Sequence, residues 1–365
     1  MGILVLEETN KAELVEFRRM LLSSVAVHRR KDDEGFGARE DAPPARNGDV
    51  LDRMVCVTSG VSYLGIAIVN QLLVGGYSVR ILVDNEEDVE KLREMEVSGE
   101  MRPNRSLVQV AMADLTKVES LVEAFEGCRG VFHTAAFVDP AGLSGYSKAM
   151  AVVEVKATKN VAKACGISSS VRLCVLTSSL LTCIWRENLR NEQTPSQIDH
   201  KTWSNESVCI NKKLWYALGK LRAEKAAWEI AKENKLKLAA ICPGLITGSN
   251  FYQRNPTSTM AYLKRAREMY AYGLLATVDI NKLAKAHVAV FEEMKKTGCS
   301  GGRYICFDKV IEQENELEKL ASEVGISSST IIEEASCSSD RPRLFKLSNV
   351  KLCQLMLRTQ RCYNE

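Results

Sequence analysis

Short, nearly continuous apolar runs alternate with longer amphipathic stretches over most of the chain. The runs Met54–Thr58, Ser78–Asp84, Leu107–Asp114, Gly130–Ala136, Val171–Ser179 and Leu236–Ile246 are apolar at successive positions, the pattern of strands covered on both faces. The stretches between them, 63–75, 86–96, 117–126, about 145–165 and about 212–234, carry the spacing of amphipathic helices. Repeated strand–helix units predict an α/β fold with a doubly wound parallel sheet, because right-handed crossovers put helices on both faces. From about 249 the pattern is less regular. Helices are predicted near 258–272, 280–296 and 312–324, with a short strand at Arg303–Phe307. Upstream, Asn10–Ser24 reads as an amphipathic helix, and the mixed-charge, Gly- and Pro-containing stretch 28–53 as a disordered linker. The expected organisation is therefore a helix and linker over 1–53, a doubly wound domain over 54–248, and a smaller C-terminal lobe with a tail over 249–365.

Bulk properties narrow the partners. A length of 365 residues with 45% hydrophobic content supports a sizeable core. A net charge of +3 gives no reason to expect nucleic acid or an anionic membrane as partner. No apolar run has the length of a membrane span, and the start lacks the basic flank of a secretory signal. The twelve cysteines show no C-x-x-C spacing and read as buried, reduced thiols of a cytoplasmic protein. His28, His133, His200 and His287 are too scattered for a metal cluster, so no metal is expected. The oligomeric state stays open, with a monomer compatible with all of this.

The first strand–turn–helix junction carries candidate chemistry. In "VTSGVSYLG", 57–65, an apolar strand runs through Ser59, Gly60, Ser62, Tyr63, Leu64 and Gly65 into a helix. This is where a dinucleotide-binding fold passes its backbone under a pyrophosphate and offers free N–H groups from the helix start. Ser59 and Ser62 are small enough for close approach, but serine is costly wherever the backbone needs a positive φ. The turn reads either as a weakened phosphate site or as an ordinary strand–helix turn. Asp84 ends the second strand, nineteen residues past Gly65. It reads as the acceptor for a ribose 2′-hydroxyl or as a solvated acid opening the next helix. Asp114 and Leu115, ending the third strand, have the same two readings, adenine edge or helix start.

The stretch 212–229, "KKLWYALGKLRAEKAAWE", places Tyr216 and Lys220 on one helix face. A lysine ammonium one turn from a phenol favours the phenolate and moves the tyrosine pKa down. So tuned, the tyrosine can hand a proton to a carbonyl oxygen while hydride reaches the carbon. The bland reading is a surface pair on an amphipathic helix. Ser179 ends the strand before this helix, where a hydroxyl points into the ligand crevice and can orient a substrate carbonyl. Pro243 and Gly244 end the following strand and can line the nicotinamide pocket.

The ordered set of glycine turn, acidic strand end, serine strand end, Tyr-x-x-x-Lys helix and Pro-Gly resembles the extended short-chain dehydrogenase/reductases. The closer match is to plant cinnamoyl-CoA reductase-like and dihydroflavonol reductase-like proteins. "GVFHTAAFVDP" (130–140), "CVLTSSLL", "ICPGLITG", "TVDINKLAKAHV" and "GRYICF" look like landmarks of that family and span about 54–310 with the tyrosine helix. The resemblance implies a Rossmann-type fold and an NADPH-dependent reductase of hydroxycinnamoyl-CoA thioesters or related phenolic carbonyls. It implies Ser179 as the carbonyl-binding serine, Tyr216 as proton donor, Lys220 as its partner, and Thr134, Ala135 and Ala136 beside the cofactor. It also implies a substrate pocket built from the Phe137–Gly145 loop, the 181–211 connection and the 249–280 segment. Departures are Ser59 and Ser62 for two glycines of the turn, and Leu214, Ala217 and Leu218 around the tyrosine. NADPH-binding members usually carry Arg where Asp84 stands, and Arg80 is a poor substitute. The residues thus favour NAD(H) where the resemblance favours NADP(H). A rival reading is a non-catalytic dinucleotide-binding or scaffold relative. A nucleotide-sugar epimerase or dehydratase shares the core chemistry but matches less well outside it.

Overall fold

Strand β1 (Met54–Val57) opens a regular alternation: α1 (Tyr63–Val74), β2 (Ser78–Val83), α2 (Glu86–Val97), β3 (Val108–Met112), α3 (Val118–Phe125), β4 (Gly130–His133), α4 (Lys148–Ile167) and β5 (Leu173–Thr177). Next come α5 (Leu181–Ile184), β6 (Ser196–Ile198), α6 (Glu206–Asn211), α7 (Trp215–Glu233), β7 (Lys237–Pro243) and β8 (Leu245–Thr247). The remainder is α8 (Phe251–Arg254), α9 (Pro256–Leu263), α10 (Ala266–Ala271), β9 (Ala276–Asp279), α11 (Ile280–Lys295), β10 (Gly301–Cys306), β11 (Lys309–Val310), α12 (Glu314–Val324), β12 (Phe345–Leu347) and α13 (Val350–Cys362). The computed structural model describes residues 53–102, 106–134, 146–187, 196–249, 251–296, 301–324 and 345–362. The helix expected at Asn10–Ser24 and the linker before Arg53 lie outside the described residues.

Seven strands form one sheet in the order β10-β7-β5-β4-β1-β2-β3, and every neighbouring pair is parallel. The chain builds outward from β1 to β3, then returns to lay β4 on the other side of β1. That reversal separates the loops leaving β1 and β4 and opens a crevice at the C-terminal strand ends. The central strands β1, β4 and β5 are nearly all apolar because both faces are covered, whereas the edge strand β3 is half-exposed. Val55, Val57 and Phe132 share one core with α1 and α11, while Cys56, Val131 and Leu176 share the other with α3, α4 and α7. Nine described cysteines are free thiols, and all but Cys353 are buried.

Departures from the expected elements have local causes. The long strand expected over Leu236–Ile246 splits at Gly244, whose N–H bonds Cys306 O at 2.9 Å. The next residues pair with β9 in a separate sheet, β11-β9-β8. The helix expected near 258–272 is two short helices, with Pro256 starting α9 and Arg265 in the left-handed region at φ 66° ahead of α10. The strand expected in the C-terminal lobe, here β10, is the edge strand of the main sheet, paired to β7. The C-terminal segment therefore contributes to the large sheet as well as to the small ones.

An ion pair ties the edge strand to α7. Arg303 Nε on β10 lies 2.6 Å from Glu224 Oε1, both buried. The same guanidinium donates to Thr202 O at 2.6 Å and His200 O at 3.2 Å, and stacks 3.6 Å from the Trp203 ring centroid. Ser178 donates to the other Glu224 oxygen at 2.6 Å. Removing one partner strands the other charge in the interior. Glu224→Ala is expected to cost about 3 kcal/mol, seen as a lower midpoint in chemical denaturation with an unchanged slope.

Candidate active site

A cavity of about 440 Å3 runs along the C-terminal ends of the strands. Ser59, Ser62, Tyr63 and Leu64 line it from the β1–α1 turn, Asp84 from β2 and Thr134 from β4. Ser179 enters after β5, Tyr216 and Lys220 from α7, and Pro243 and Gly244 from β7. Residues far apart in the chain therefore meet on one surface.

The turn is built for close backbone approach. A Cβ on Gly65 would sit 1.8 Å from Ser59 O, and one on Gly60 would sit 2.3 Å from Ile81 Cγ2. Both positions pack too tightly within the protein for a side chain, and neither expected glycine lines the cavity itself. The two serines do not carry the cost expected of them. Neither is among the residues with positive φ, and Ser62 is extended at φ −75°. The Ser62 hydroxyl donates to Ser59 O at 2.7 Å and accepts from Gly65 N at 3.0 Å. It is the N-cap of α1, and its hydrogen is already used. The backbone cost of serine therefore does not arise: serine fits this backbone, and Ser62 stabilises the helix start.

Beyond Gly60 and Gly65, three further expected contacts do not reach the cavity. Arg80 turns to the α3 side, where it donates to Ala124 O at 2.8 Å, Glu126 O at 2.7 Å and Gln109 Oε1 at 3.0 Å. Its place in mid-strand, level with Cys56, aims it at the opposite layer. Asp114 is exposed and folds its carboxylate back on Thr116 N at 2.8 Å and Thr116 Oγ1 at 2.7 Å. Leu115 is buried in the core, and its carbonyl accepts from Asn160. Ala135, Ala136 and the Phe137–Gly145 loop lie outside the described residues. The described part of 181–211 contributes no lining residue, whereas α8 and α9 contribute Arg254, Ser258, Thr259 and Tyr262.

Of the three hydroxyls ending β5, one is left for a ligand. Thr177 pairs with His287 Nε2 at 2.8 Å, and Ser178 donates to Glu224. Ser179 Oγ accepts from Leu181 N at 3.2 Å, which leaves its hydrogen for the cavity. His287 and His133 beneath are held neutral: burial pushes them down to about 4 and about 3. Among the described residues, the Thr134 hydroxyl is buried without a hydrogen-bond partner and lines the cavity, while the Ser258 and Tyr262 hydroxyls there lie close to Tyr216 and to the Leu245 backbone. A buried unpaired hydroxyl in a crevice fits a polar ligand. With the strand-end crevice and the start of α1, it fits a dinucleotide there.

The electrostatics revise the tyrosine. Burial is the largest influence on Tyr216 and raises its pKa; Lys220 and Ser258 pull it down, and Glu154 pushes it up. The net shift is upward, against the expected lowering. Burial alone would lower Lys220, but the Glu154 carboxylate and Tyr216 outweigh it and leave the ammonium favoured. Asp84 is raised by burial and by the neighbouring Asp88 and Asp114. Lys91, the cation nearest these acids along the cavity wall, is paired with Glu87 at 2.9 Å and Asp88 at 3.5 Å. Glu154, Ser258 and Tyr262 escaped the sequence reading because no fixed spacing links them to Tyr216. The cap at Ser62 did have a signal, a serine just before an apolar helix.

The family match and the relatives below make the chain an NAD(P)-dependent oxidoreductase of the extended short-chain dehydrogenase/reductase class, with which the sheet order and cavity agree. Residues 56–331 match the 3-beta hydroxysteroid dehydrogenase/isomerase family, and the chain belongs to it. It is 34% identical over 318 residues to cinnamoyl-CoA reductase 1 of Petunia hybrida, covering 84% of this chain and 88% of that one. It is 30% identical over 274 residues to tetraketide alpha-pyrone reductase 1 of Arabidopsis thaliana, covering 73% and 79%. In fold it is similar to vestitone reductase of alfalfa, with TM-score 0.56, 24% identity and coverage of 83% and 91%. It is likewise similar to the yeast methylglyoxal/isovaleraldehyde reductase Gre2 complexed with NADPH, with TM-score 0.61, 20% identity and coverage of 83% and 92%. Among the described residues, no helix is long and apolar enough to cross a membrane.

The cap at the turn makes a direct prediction. Ser62→Ala removes the acceptor for Gly65 N and is expected to cost about 1 kcal/mol of stability, measured by urea denaturation.

Proposed function

We propose that this chain reduces a phenylpropanoid-type carbonyl or CoA thioester, with NADH preferred over NADPH as hydride source. The observation that carries the reading is the meeting of Ser179, Tyr216 and Lys220 with the β1–α1 turn residues Ser59, Ser62, Tyr63 and Leu64 on one cavity. The substrate class rests on the likeness to cinnamoyl-CoA reductases and is the reason for the choice of assay.

Ser59, Ser62, Leu64, Thr134, Pro243 and Gly244 would hold a nicotinamide dinucleotide, which when bound would supply hydride to the carbonyl carbon. Ser179 donates its remaining hydrogen to the carbonyl oxygen and fixes its orientation. Tyr216 delivers its proton to that oxygen as negative charge develops there. The Lys220 ammonium stabilises the phenolate left behind. With a thioester, the protonated adduct is a hemithioacetal that expels the thiol to leave an aldehyde. A raised tyrosine pKa suits this direction, since the proton donor must start protonated. The rate should therefore hold through neutral pH and fall only as pH rises through the Tyr216 pKa.

The NADH preference follows from charge. Asp84 and Asp88 line the wall where the adenosine ribose would lie, Lys91 is already paired, and Arg80 is turned away. A 2′-phosphate would meet carboxylates there, whereas a 2′-hydroxyl can donate to Asp84. Calorimetric titration is expected to give a Kd for NADH lower than that for NADPH by roughly tenfold. Tighter binding of NADPH would overturn the preference. Turnover of feruloyl-CoA to the aldehyde is expected for the full chain and is expected to disappear in Tyr216→Phe with cofactor binding kept. Absence of binding by either dinucleotide would favour a non-catalytic relative instead.

A further inference from the structure

A buried carboxylate unused in the steps above faces the site from α4. Glu154 is 2% exposed, and its Oε1 lies 2.5 Å from Lys220 Nζ. Its Oε2 accepts the Tyr146 hydroxyl. Tyr146 packs edge-on to Tyr216, with ring centroids 5.0 Å apart and planes at 76°. Lys220 Nζ lies 5.9 Å from the Tyr216 ring centroid. Tyr216, Lys220, Glu154 and Tyr146 therefore close a circuit of contacts, two from α7 and two from α4 and its approach.

An acid at this depth is costly unless its charge is matched. The match is local. His133 on β4 is neutral, and Glu224 on α7 is committed to Arg303. From α9, Ser258 and Tyr262 bring only hydroxyls. Across the sheet, His287 is neutral as well. Among the described residues, Glu154 is the carboxylate in contact with Lys220. Its negative charge opposes the pull of the ammonium on Tyr216, and its oxygen fixes where that ammonium sits.

We propose that Glu154 is a positioning residue: it anchors the Lys220 ammonium beside Tyr216 and keeps Tyr216 in its proton-donating form to higher pH than the lysine alone would allow. This rests on the reading of Tyr216 as proton donor. A neutral side chain at 154 removes that opposing charge, so the phenolate forms more readily.

The test uses the full chain and two readouts. One is the pH dependence of kcat for feruloyl-CoA reduction at saturating NADH. The other needs no turnover: ultraviolet titration of the Tyr216 phenolate, taken as the difference between each protein and its Tyr216→Phe counterpart. Glu154→Gln is expected to move the alkaline limb and the phenolate midpoint to lower pH by about one unit. Glu154→Asp, which keeps the charge, is expected to move both back toward wild type. Should the glutamine variant not fold, Glu154→Asn is the second neutral variant. A folded neutral variant with unshifted limb and midpoint overturns the proposal, since a purely structural role would lower the melting temperature alone. Wild-type turnover in Tyr216→Phe would instead sink the proton-donor reading, and this proposal with it.

Discussion

Helix α7 lies close against α4 at Gly219, which presents no side chain to it. A Cβ there would come 3.1 Å from the Cα and the Cβ of Ala151 and from the Tyr146 hydroxyl, so the two helices would have to give by a few tenths of an ångström. The approach puts Lys220 and Glu154 on facing surfaces and buries both. Away from water a unit charge acts on its neighbours more strongly, so the chemistry of Tyr216 depends on how closely two helices pack. The sheet fixes the rest. The crevice at its strand ends is where β5 delivers Ser179 and α7 delivers Tyr216.

Two carboxylates on this helix pair do different work. Glu224 meets Arg303, whose planar fork is saturated by backbone carbonyls and by Trp203. That arrangement has fixed geometry and suits a joint between a helix and an edge strand. Glu154 meets Lys220, a compact charge on a flexible stem that can serve several partners at once. Lys220 and Glu224 stand one turn apart on α7. The same helix thus carries a rigid anchor and an adjustable charge in adjacent turns.

The large sheet was legible because its central strands, covered on both faces, are nearly all apolar; the six strands expected of it lie in their predicted runs, and the seventh, β10, comes from the short run assigned to the C-terminal lobe. The Tyr216–Lys220 pair was legible because helical spacing is local. Arg80 was not, since its direction depends on which face of β2 meets α3, and that follows only from strand register. Asp114 found its partners two and three residues away, a choice between turn and ligand that spacing alone does not make. Glu154 and Ser258 come to Tyr216 from elements distant in sequence, and no periodicity marks them. The break ahead of α10 was hidden because Arg265 occupies a left-handed backbone position that glycine would normally announce.

The buried thiols give the molecule a built-in clock. Cys56, Cys128, Cys165 and Cys174 belong to the core between the sheet and the α3–α4–α7 layer, and Cys183 and Cys242 to the region beside Arg303. Burial pushes Cys209 up to about 11 and Cys306 up to about 12, so in the closed fold they remain unreactive thiols. A soluble alkylating reagent can reach them only when the surrounding layers part. Their rates of labelling therefore report how often each layer breathes, residue by residue, without any added probe.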